Sequence, residues 1–242
     1  VQERTDAQRY PMTGFDSREV AEILGRIQSL DRDEWANSWV INGDRHLKQA
    51  QALATSAPAQ AREAYMAAWR YYGFGAWPTQ NSPAKQKAHA LATSAFRAYA
   101  GLASPSIEVV RIPFEGKEII GYLQRPAGVT RPALVITIGG LDSYKEFVVD
   151  QFGAAYLKAG LAYLALDMPG TGESPVKIEP GVERMFSRVI DALQNRTDID
   201  PGRIGFQGGS WGGHWAARMA YAEPVRLKAV ANWGGPVHAY FQ

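Results

Sequence analysis

Residues 204–213 read Ile-Gly-Phe-Gln-Gly-Gly-Ser-Trp-Gly-Gly, and this stretch decides the fold that we predict. Ile204–Phe206 has the composition of a short strand, and Trp211–Ala222 has helical spacing. Ser210 therefore falls on a sharp turn between a strand and a helix. A serine in that place has its hydroxyl oxygen exposed above the sheet, which is the position of a catalytic nucleophile.

Three glycines make this turn sterically feasible. Gly208 and Gly212 lie two residues before and two residues after Ser210, and Gly213 adds further room. Small residues there let the strand and the helix pack closely around the serine. The alternative is an ordinary glycine-rich turn between a strand and a helix. The predicted elements on both sides favour the nucleophile, and Ser210 is our candidate.

Backbone amides near the serine are candidates for an oxyanion hole. The Trp211 amide follows the serine directly, and a second donor is expected in the loop after an earlier strand. Gly139 and Gly140 open such a loop, in which the Leu141 amide is our candidate donor. Each donor of this kind contributes roughly 2.7–4 kcal/mol to transition-state stabilisation. The alternative is a plain loop between strand and helix.

Predicted strands and helices alternate from residue 133 onward. The strands are Leu134–Ile138, Leu161–Leu166, Ile204–Phe206 and Lys228–Asn232, and the helices are Lys145–Lys158, Val182–Gln194 and Trp211–Ala222. Two earlier strands, Ile107–Ile112 and Ile119–Leu123, flank a turn at Glu115-Gly116. This alternation predicts an α/β fold with a mostly parallel sheet and helices on both faces. Ligands of such sheets bind at the carboxyl ends of the strands, where the glycine-rich turns fall.

The first hundred residues predict helices only. Residues 1–15 predict an irregular arm, after which Asp16 and Glu19 have the spacing of a capping box. Further helices are predicted over residues 34–54, 58–72 and 83–101. The helix over residues 58–72 is expected to end at Gly73, Gly75 and Pro78. We therefore divide the chain into a helical domain, residues 1–104, and an α/β domain, residues 105–242.

Composition excludes several classes of function. The 242 residues carry a net charge of +2, which provides no electrostatic case for binding nucleic acid or an acidic membrane. The absence of cysteine excludes disulfides, thiolate catalysis and cysteine-bound zinc, and four scattered histidines predict no metal site. No apolar stretch is long enough for a membrane span. A cytoplasmic location and export with removal of a signal peptide both stay open.

The order of several motifs resembles one group of α/β-hydrolases, which includes 2,6-dihydroxypseudooxynicotine hydrolase, yellowish-green pigment hydrolases and the fermentation-respiration switch protein. The motifs are Pro113-Phe-Glu-Gly116, Gly121-Tyr-Leu123, Gly139-Gly-Leu-Asp-Ser143, Lys145-Glu146, Asp167-x-Pro-Gly170-x-Gly172, Gly208-x-Ser210-x-Gly-Gly213 and Trp233-Gly-Gly235. The resemblance implies that the helical region is a cap over the active site. It also implies an esterase or a carbon–carbon bond hydrolase that uses Ser, Asp and His without a cofactor, and a homodimer.

The resemblance also suggests a role for Asp142. In the nicotine-pathway member of the group, an acidic residue in this segment assists the serine. The alternative is that Asp142 caps the following helix together with Glu146. The segment that starts at Asp167 contains glycine and proline and is expected to be a structural turn.

The remaining members of a catalytic triad are expected outside this chain. In this fold the acid and then the histidine follow the nucleophile, but only 32 residues (242 − 210) follow Ser210. We interpret His214 as a packing or surface residue, His238 as too early for the base, and Glu223 as a solvated residue. We therefore expect a sheet without its last strands, in an N-terminal fragment. The C-terminal remainder of the same protein would then be either a second chain packed beside this one, as its partner, or lost.

The expected chemistry is acyl transfer to a small-molecule carbonyl substrate. Aromatic residues of the helical region suggest an apolar or aromatic substrate, although they also suit the core of that region; they are Trp69, Tyr71, Tyr72 and Trp77. His46 and His89 are expected to be structural. The alternative function is a non-catalytic binding or regulatory protein on an α/β-hydrolase scaffold.

Overall fold

The chain forms two compact units. A computed structural model describes residues 1–236, which divide into a helical unit, Val1–Ala103, and an α/β unit that begins at Ser104. In the part of the chain so described, no helix has both the length and the apolar character needed to cross a membrane.

The helical unit contains α1 (Gln2–Asp6), α2 (Ser17–Arg26), α3 (Arg32–Leu53), α4 (Pro58–Ala76) and α5 (Pro83–Gly101). The Asp16 carboxylate accepts hydrogen bonds from the amides of Arg18 and Glu19, so the predicted start of α2 is confirmed. Asp31 caps α3 in the same way. Proline occupies the first turn of both α4 and α5, where its missing N–H costs no helical hydrogen bond.

The prediction of an irregular arm over residues 1–15 is wrong in its first part, because α1 lies there. Contacts distant in sequence hold this short helix. Thr5 is fully buried, and the Gln2 side-chain amide donates to Ser17 Oγ over 2.8 Å. Periodicity over a single helical turn cannot show such contacts.

The predicted end of α4 is also wrong, because the helix continues through Gly73 and Gly75 to Ala76. A Cβ atom on Gly75 would lie 3.1 Å from the Trp39 Cβ atom and 3.2 Å from the Ala36 carbonyl oxygen. Glycine at this position therefore lets α3 and α4 pack closely, at the usual cost of glycine in a helix.

Aromatic side chains form much of the core of the helical unit. The Phe74 ring lies 4.6 Å from the Trp39 ring, and Phe15 packs edge-on against both Trp39 and Tyr71. Tyr71 and Tyr72 are buried inside the unit, while Trp69 and Trp77 are partly buried against its core. These contacts favour the core interpretation of the aromatic residues over a substrate-binding one.

The α/β unit contains six strands and three helices among the described residues. They are β1 (Ile107–Phe114), β2 (Lys117–Gln124), β3 (Leu134–Ile138), α6 (Lys145–Lys158), β4 (Ala162–Leu166), α7 (Arg184–Gln194), β5 (Ile204–Gly209), α8 (Trp211–Ala222) and β6 (Leu227–Trp233). The strand order is β1-β2-β4-β3-β5-β6. Strands β3 to β6 are parallel to one another, while β2 pairs antiparallel with both β1 and β4. The predicted α/β fold with a mostly parallel sheet is confirmed.

Helices cover both faces of this sheet. On one face, Leu164 and Leu166 share a core cluster with Phe186 of α7 and Trp215 of α8. On the other face, the Tyr163 ring packs 5.6 Å from that of Tyr156 on α6. Strand β4 is buried along its whole length because alternate side chains face these two layers.

Candidate active site

Ser210 occupies a one-residue turn between β5 and α8. Its φ of 53° and ψ of −123° lie in a region that residues with a side chain rarely adopt. Its amide donates to the Trp233 carbonyl oxygen over 2.9 Å, and its own carbonyl accepts from the Gly213 amide over 2.9 Å. The strain of such a conformation, about 1–3 kcal/mol, persists only where the surroundings hold it, as they commonly do at functional sites.

The three glycines around the turn bring backbone against backbone. A Cβ atom on Gly208 would overlap the Gly212 carbonyl, and one on Gly212 would overlap the Gly139 carbonyl. A Cβ atom on Gly213 would overlap the Asn232 side chain and lie 2.8 Å from the Gly235 Cα atom. Strand β5 was predicted to end at residue 206, but Gly208 and Gly209 extend it by pairing with β6.

The loop after β3 reaches the serine. A Cβ atom on Gly140 would lie 3.0 Å from Ser210 Cβ and 3.3 Å from Ser210 Oγ, so a side chain there would crowd the hydroxyl. The Gly140 amide donates to Ser143 Oγ over 2.8 Å, which closes the loop on itself. Leu141 follows with an exposed side chain. The predicted loop and the predicted nucleophile are therefore neighbours, because β3 and β5 pair in the sheet.

The hypothesis that Asp142 caps α6 is wrong. Tyr144 occupies the N-cap position of this helix. The Lys145 amide donates over 2.9 Å to Asp167 Oδ1, across the sheet edge from the next strand. A carboxylate distant in sequence takes the place that the local pattern suggested for Asp142, which is half-buried.

A buried cluster of charges lies behind this loop, and sequence reasoning missed it. Lys145 Nζ is 2.7 Å from Asp167, 2.9 Å from Glu173 and 3.1 Å from Glu146. Burial opposes the charged lysine, but attraction by Asp167, Glu146 and Glu173 holds its pKa well above the usual value. Burial raises the pKa of the Glu146 carboxyl. The Lys145-Glu146 pair and the Asp167 turn are both recognisable as motifs in the sequence. The sequence does not show that they contact each other.

The histidines of the described residues do not complete a triad. His214 Nδ1 lies 3.0 Å from the Pro236 carbonyl oxygen, and His46 Nε2 lies 2.9 Å from Glu19 within the helical unit. Within residues 1–236, no histidine is hydrogen bonded to Ser210, and no group of three or more His, Asp or Glu side chains is placed to hold a metal ion. His238 lies outside the described residues.

The interpretation of Glu223 as a solvated residue is wrong. Its side chain is mostly buried at the end of α8, and it accepts a hydrogen bond over 2.6 Å from Arg226 Nε. The same arginine also reaches Asp191 of α7. Glu223 therefore belongs to an ion pair that joins two helix ends.

This chain is similar to known proteins. A family model described as Esterase FrsA-like matches residues 9–242. The chain is 28% identical over 243 residues to esterase FrsA of Enterobacter sp. (strain 638), covering 93% of this chain and 59% of that protein. It is 30% identical over 246 residues to hydrolase ORFZ of Pyricularia oryzae, covering 90% of this chain and 56% of that protein.

A solved structure agrees with these relatives. The crystal structure of 2,6-dihydroxy-pseudo-oxynicotine hydrolase matches with a TM-score of 0.81 and 28% identity, covering 92% of this chain and 62% of that one. The resemblance predicted from the motifs is confirmed. The chain spans less than two thirds of the length of each of these proteins.

Proposed function

The chain belongs to the FrsA-like esterase family, and from that premise we propose that it carries the nucleophile of a serine hydrolase. The reaction is cleavage of a carboxylic ester, or of a carbon–carbon bond next to a carbonyl. The observation that carries the proposal is the strained Ser210 turn with Gly140 against its hydroxyl. An unstrained turn would serve an ordinary link between strand and helix equally well.

In the proposed reaction, Ser210 Oγ attacks the carbonyl carbon of the substrate. A histidine from a segment outside this chain accepts the serine proton, and an acid from that segment orients the histidine. The amides of Trp211 and Leu141 bind the negative oxygen of the tetrahedral intermediate. The bond to the leaving group then breaks, and the leaving oxygen or carbon takes the proton from the histidine. Water releases the acyl group by the reverse sequence.

Asp142 has a proposed role beside the serine. In this proposal its half-buried carboxylate orients the serine or the attacking water, because Asp142 lies in the loop whose Gly140 contacts Ser210. We expect Asp142→Asn to lower kcat while leaving the fold unchanged. This contribution is smaller than that of Ser210, because general acid–base assistance contributes typically ~10²–10⁴-fold.

The substrate is a small carbonyl compound in this proposal. The solved relative is named for hydrolysing 2,6-dihydroxy-pseudo-oxynicotine, and the curated bacterial relative is named an esterase. Tyr71 and Tyr72 lie in the core of the helical unit, so they do not select an aromatic substrate. Either leaving group, alkoxide or stabilised carbanion, suits the same serine chemistry.

A fluorophosphonate probe tests the nucleophile. The sample is the intact assembly, which is this chain together with the segment that supplies the base. We expect one probe per site in the wild type and in the control Ser56→Ala, an exposed serine of the helical unit. Ser210→Ala should lose all labelling. If the wild-type assembly takes up no probe, the protein is a non-catalytic binder instead.

A further inference from the structure

Asp167 joins two loops at the carboxyl edge of the sheet. Its carboxylate accepts three hydrogen bonds: Oδ1 from the Lys145 amide over 2.9 Å, and Oδ2 from Lys145 Nζ over 2.7 Å and from the Glu173 amide over 2.9 Å. The contact therefore fixes both the main chain and the side chain of Lys145. It also ties the start of α6 to the turn that follows β4.

The turn after β4 is shaped to hold this carboxylate. Gly172 has a φ of +48°, and a Cβ atom on it would overlap the Asp167 carboxylate. Lys145 is only 1% exposed, so its ammonium has no access to bulk water and depends on its carboxylate partners. Removing Asp167 from this buried cluster is costly, because the lysine charge then keeps only Glu146 and Glu173 as partners.

The position of Lys145 determines where the loop before it can go. Residues 139–144 connect Ile138, which is fixed in the sheet, to Lys145, which Asp167 fixes. Within the loop, the Gly140 amide is bonded to Ser143 Oγ. A six-residue loop with both ends held and one internal bond has little freedom, and its Gly140 faces Ser210.

We propose that Lys145 and Asp167 are positioning residues that hold the Leu141 amide at the oxyanion of the Ser210 reaction. They do not touch the substrate. The inference rests on the proposed function, since it assigns a purpose to the same site. It extends that function, because a buried ion pair behind the loop then determines how well the site binds the transition state.

The charges around Lys145 are consistent with this role. Asp167, Glu173 and Glu146 each have a carboxylate oxygen within 3.1 Å of the lysine ammonium, so three carboxylates face it. Tyr122 of β2 adds its ring face, 5.5 Å from Lys145 Nζ. The lysine therefore has partners from β2, from the turn after β4 and from α6 itself, so it is held from several sides.

Asp167→Asn in the intact assembly is the direct test. The variant keeps the shape of the side chain but weakens its bonds to Lys145. We expect kcat for an ester to fall roughly 10²-fold, since a displacement of about 1 Å has that effect on a catalytic group. KM should change less than about 3-fold, because the lost interaction forms only in the transition state. Lys145→Met should show the same changes in kcat and KM. If Lys145→Met does not fold, the result for Asp167→Asn decides the test.

Hydrogen exchange supplies a readout that does not depend on activity. Amides 139–144 should exchange at least ~10-fold faster in Asp167→Asn, while those of β3 and β5 keep their protection. Tyr163→Phe is the matched control, because it removes a buried hydrogen bond to Gln124 in the same sheet and leaves the loop alone. It should change neither the loop exchange nor kcat.

The outcomes separate the two proposals. Unchanged exchange of residues 139–144 in Asp167→Asn overturns the positioning role, as does a fall in kcat no larger than that of Tyr163→Phe. If the wild type lacks esterase activity and probe labelling, the proposed function fails. In that case the exchange data still decide whether Asp167 orders the loop.

Discussion

The glycines around the Ser210 turn and several glycines of the helical unit meet different neighbours. In the helical unit, Gly43 lies under the Tyr72 ring, and Gly25 and Gly101 face open space. In the α/β unit, Gly208 and Gly212 lie against backbone carbonyls from other segments. A side chain can rotate away from an added methyl group, but a carbonyl in a sheet or helix cannot. Close backbone packing therefore marks the part of the molecule where the geometry is least adjustable, which is the Ser210 turn.

Substitution of Gly212 should have the largest effect. In Gly212→Ala the methyl group meets the Gly139 carbonyl, so either α8 or the loop after β3 must move. We expect a loss of about 3 kcal/mol or more in the free energy of unfolding. Fluorophosphonate labelling of the intact assembly should also fall. Urea denaturation and probe labelling measure the two effects.

Gly43→Ala is the matched control for that substitution. It also adds a methyl group where there is no room, but the neighbour is the Tyr72 ring, which can shift. Its cost should lie near 1–3 kcal/mol, and labelling of Ser210 should remain. Equal losses of stability and of labelling in Gly212→Ala and Gly43→Ala would contradict this prediction. They would show that it does not matter whether the neighbouring atoms belong to a side chain or to the backbone.

A half-buried carboxylate, Glu19, and a buried one, Glu146, extend the comparison to charge. Burial acts to raise the pKa of Glu19 in the helical unit, but hydrogen bonds from His46 and Asn42 outweigh it and hold that pKa below the usual value. In the α/β unit, burial dominates at Glu146 and raises the pKa of its carboxyl, even though Lys145 lies beside it. The two pKa values therefore shift in opposite directions, because burial dominates at the buried Glu146 and hydrogen bonds dominate at the half-buried Glu19.

These opposite shifts predict opposite pH effects on stability. Glu19 stabilises the fold above its unfolded pKa of about 4.5, and that stability is lost as the pH falls through its lower folded pKa. Glu146 binds its proton more tightly in the folded state. Its contribution is therefore complete below about pH 4.5 and is lost as the pH rises through its higher folded pKa.

Two glutamine variants test this contrast by urea denaturation between about pH 4 and 8. Glu19→Gln should be less stable than the wild type near neutral pH, and the difference should shrink toward pH 4. Glu146→Gln should remove part of the decline in stability with rising pH. If both variants follow the wild type in parallel over the whole range, the two carboxylates do not differ in the way described.

Local pattern was sufficient for most elements of the fold. The predicted bounds of α6 and α8 agree with the structure at both ends, because the periodicity of a helix is contained in its own residues. The approach of Gly140 to Ser210 also followed from sequence, because parallel strands deliver their following loops to one edge. Both features depend on rules that hold for any parallel sheet.

The features that were missed depend on contacts between distant residues. Asp167, and not Asp142, accepts the hydrogen bond from the first amide of α6, because β3 and β4 pair in the sheet. Lys145 and Asp167 are 22 residues apart in sequence, and that spacing does not reveal their contact. Glu223 is buried because Arg226 turns back onto it. The long helix α4 depends on Gly75 fitting against Trp39. In each case a partner in space overrides the preference of the local sequence.

The smallest predicted effect comes from the open glycines of the helical unit. Gly25 lies in α2 with an exposed position and nothing near its missing side chain. Gly25→Ala should therefore raise the free energy of unfolding by about 0.5–1 kcal/mol, since alanine loses less backbone entropy in a helix. Denaturation of the variant and the wild type in parallel measures the gain. A loss of stability would mean that position 25 needs glycine for a reason other than space, and the contrast with Gly212 would then no longer rest on neighbouring atoms alone.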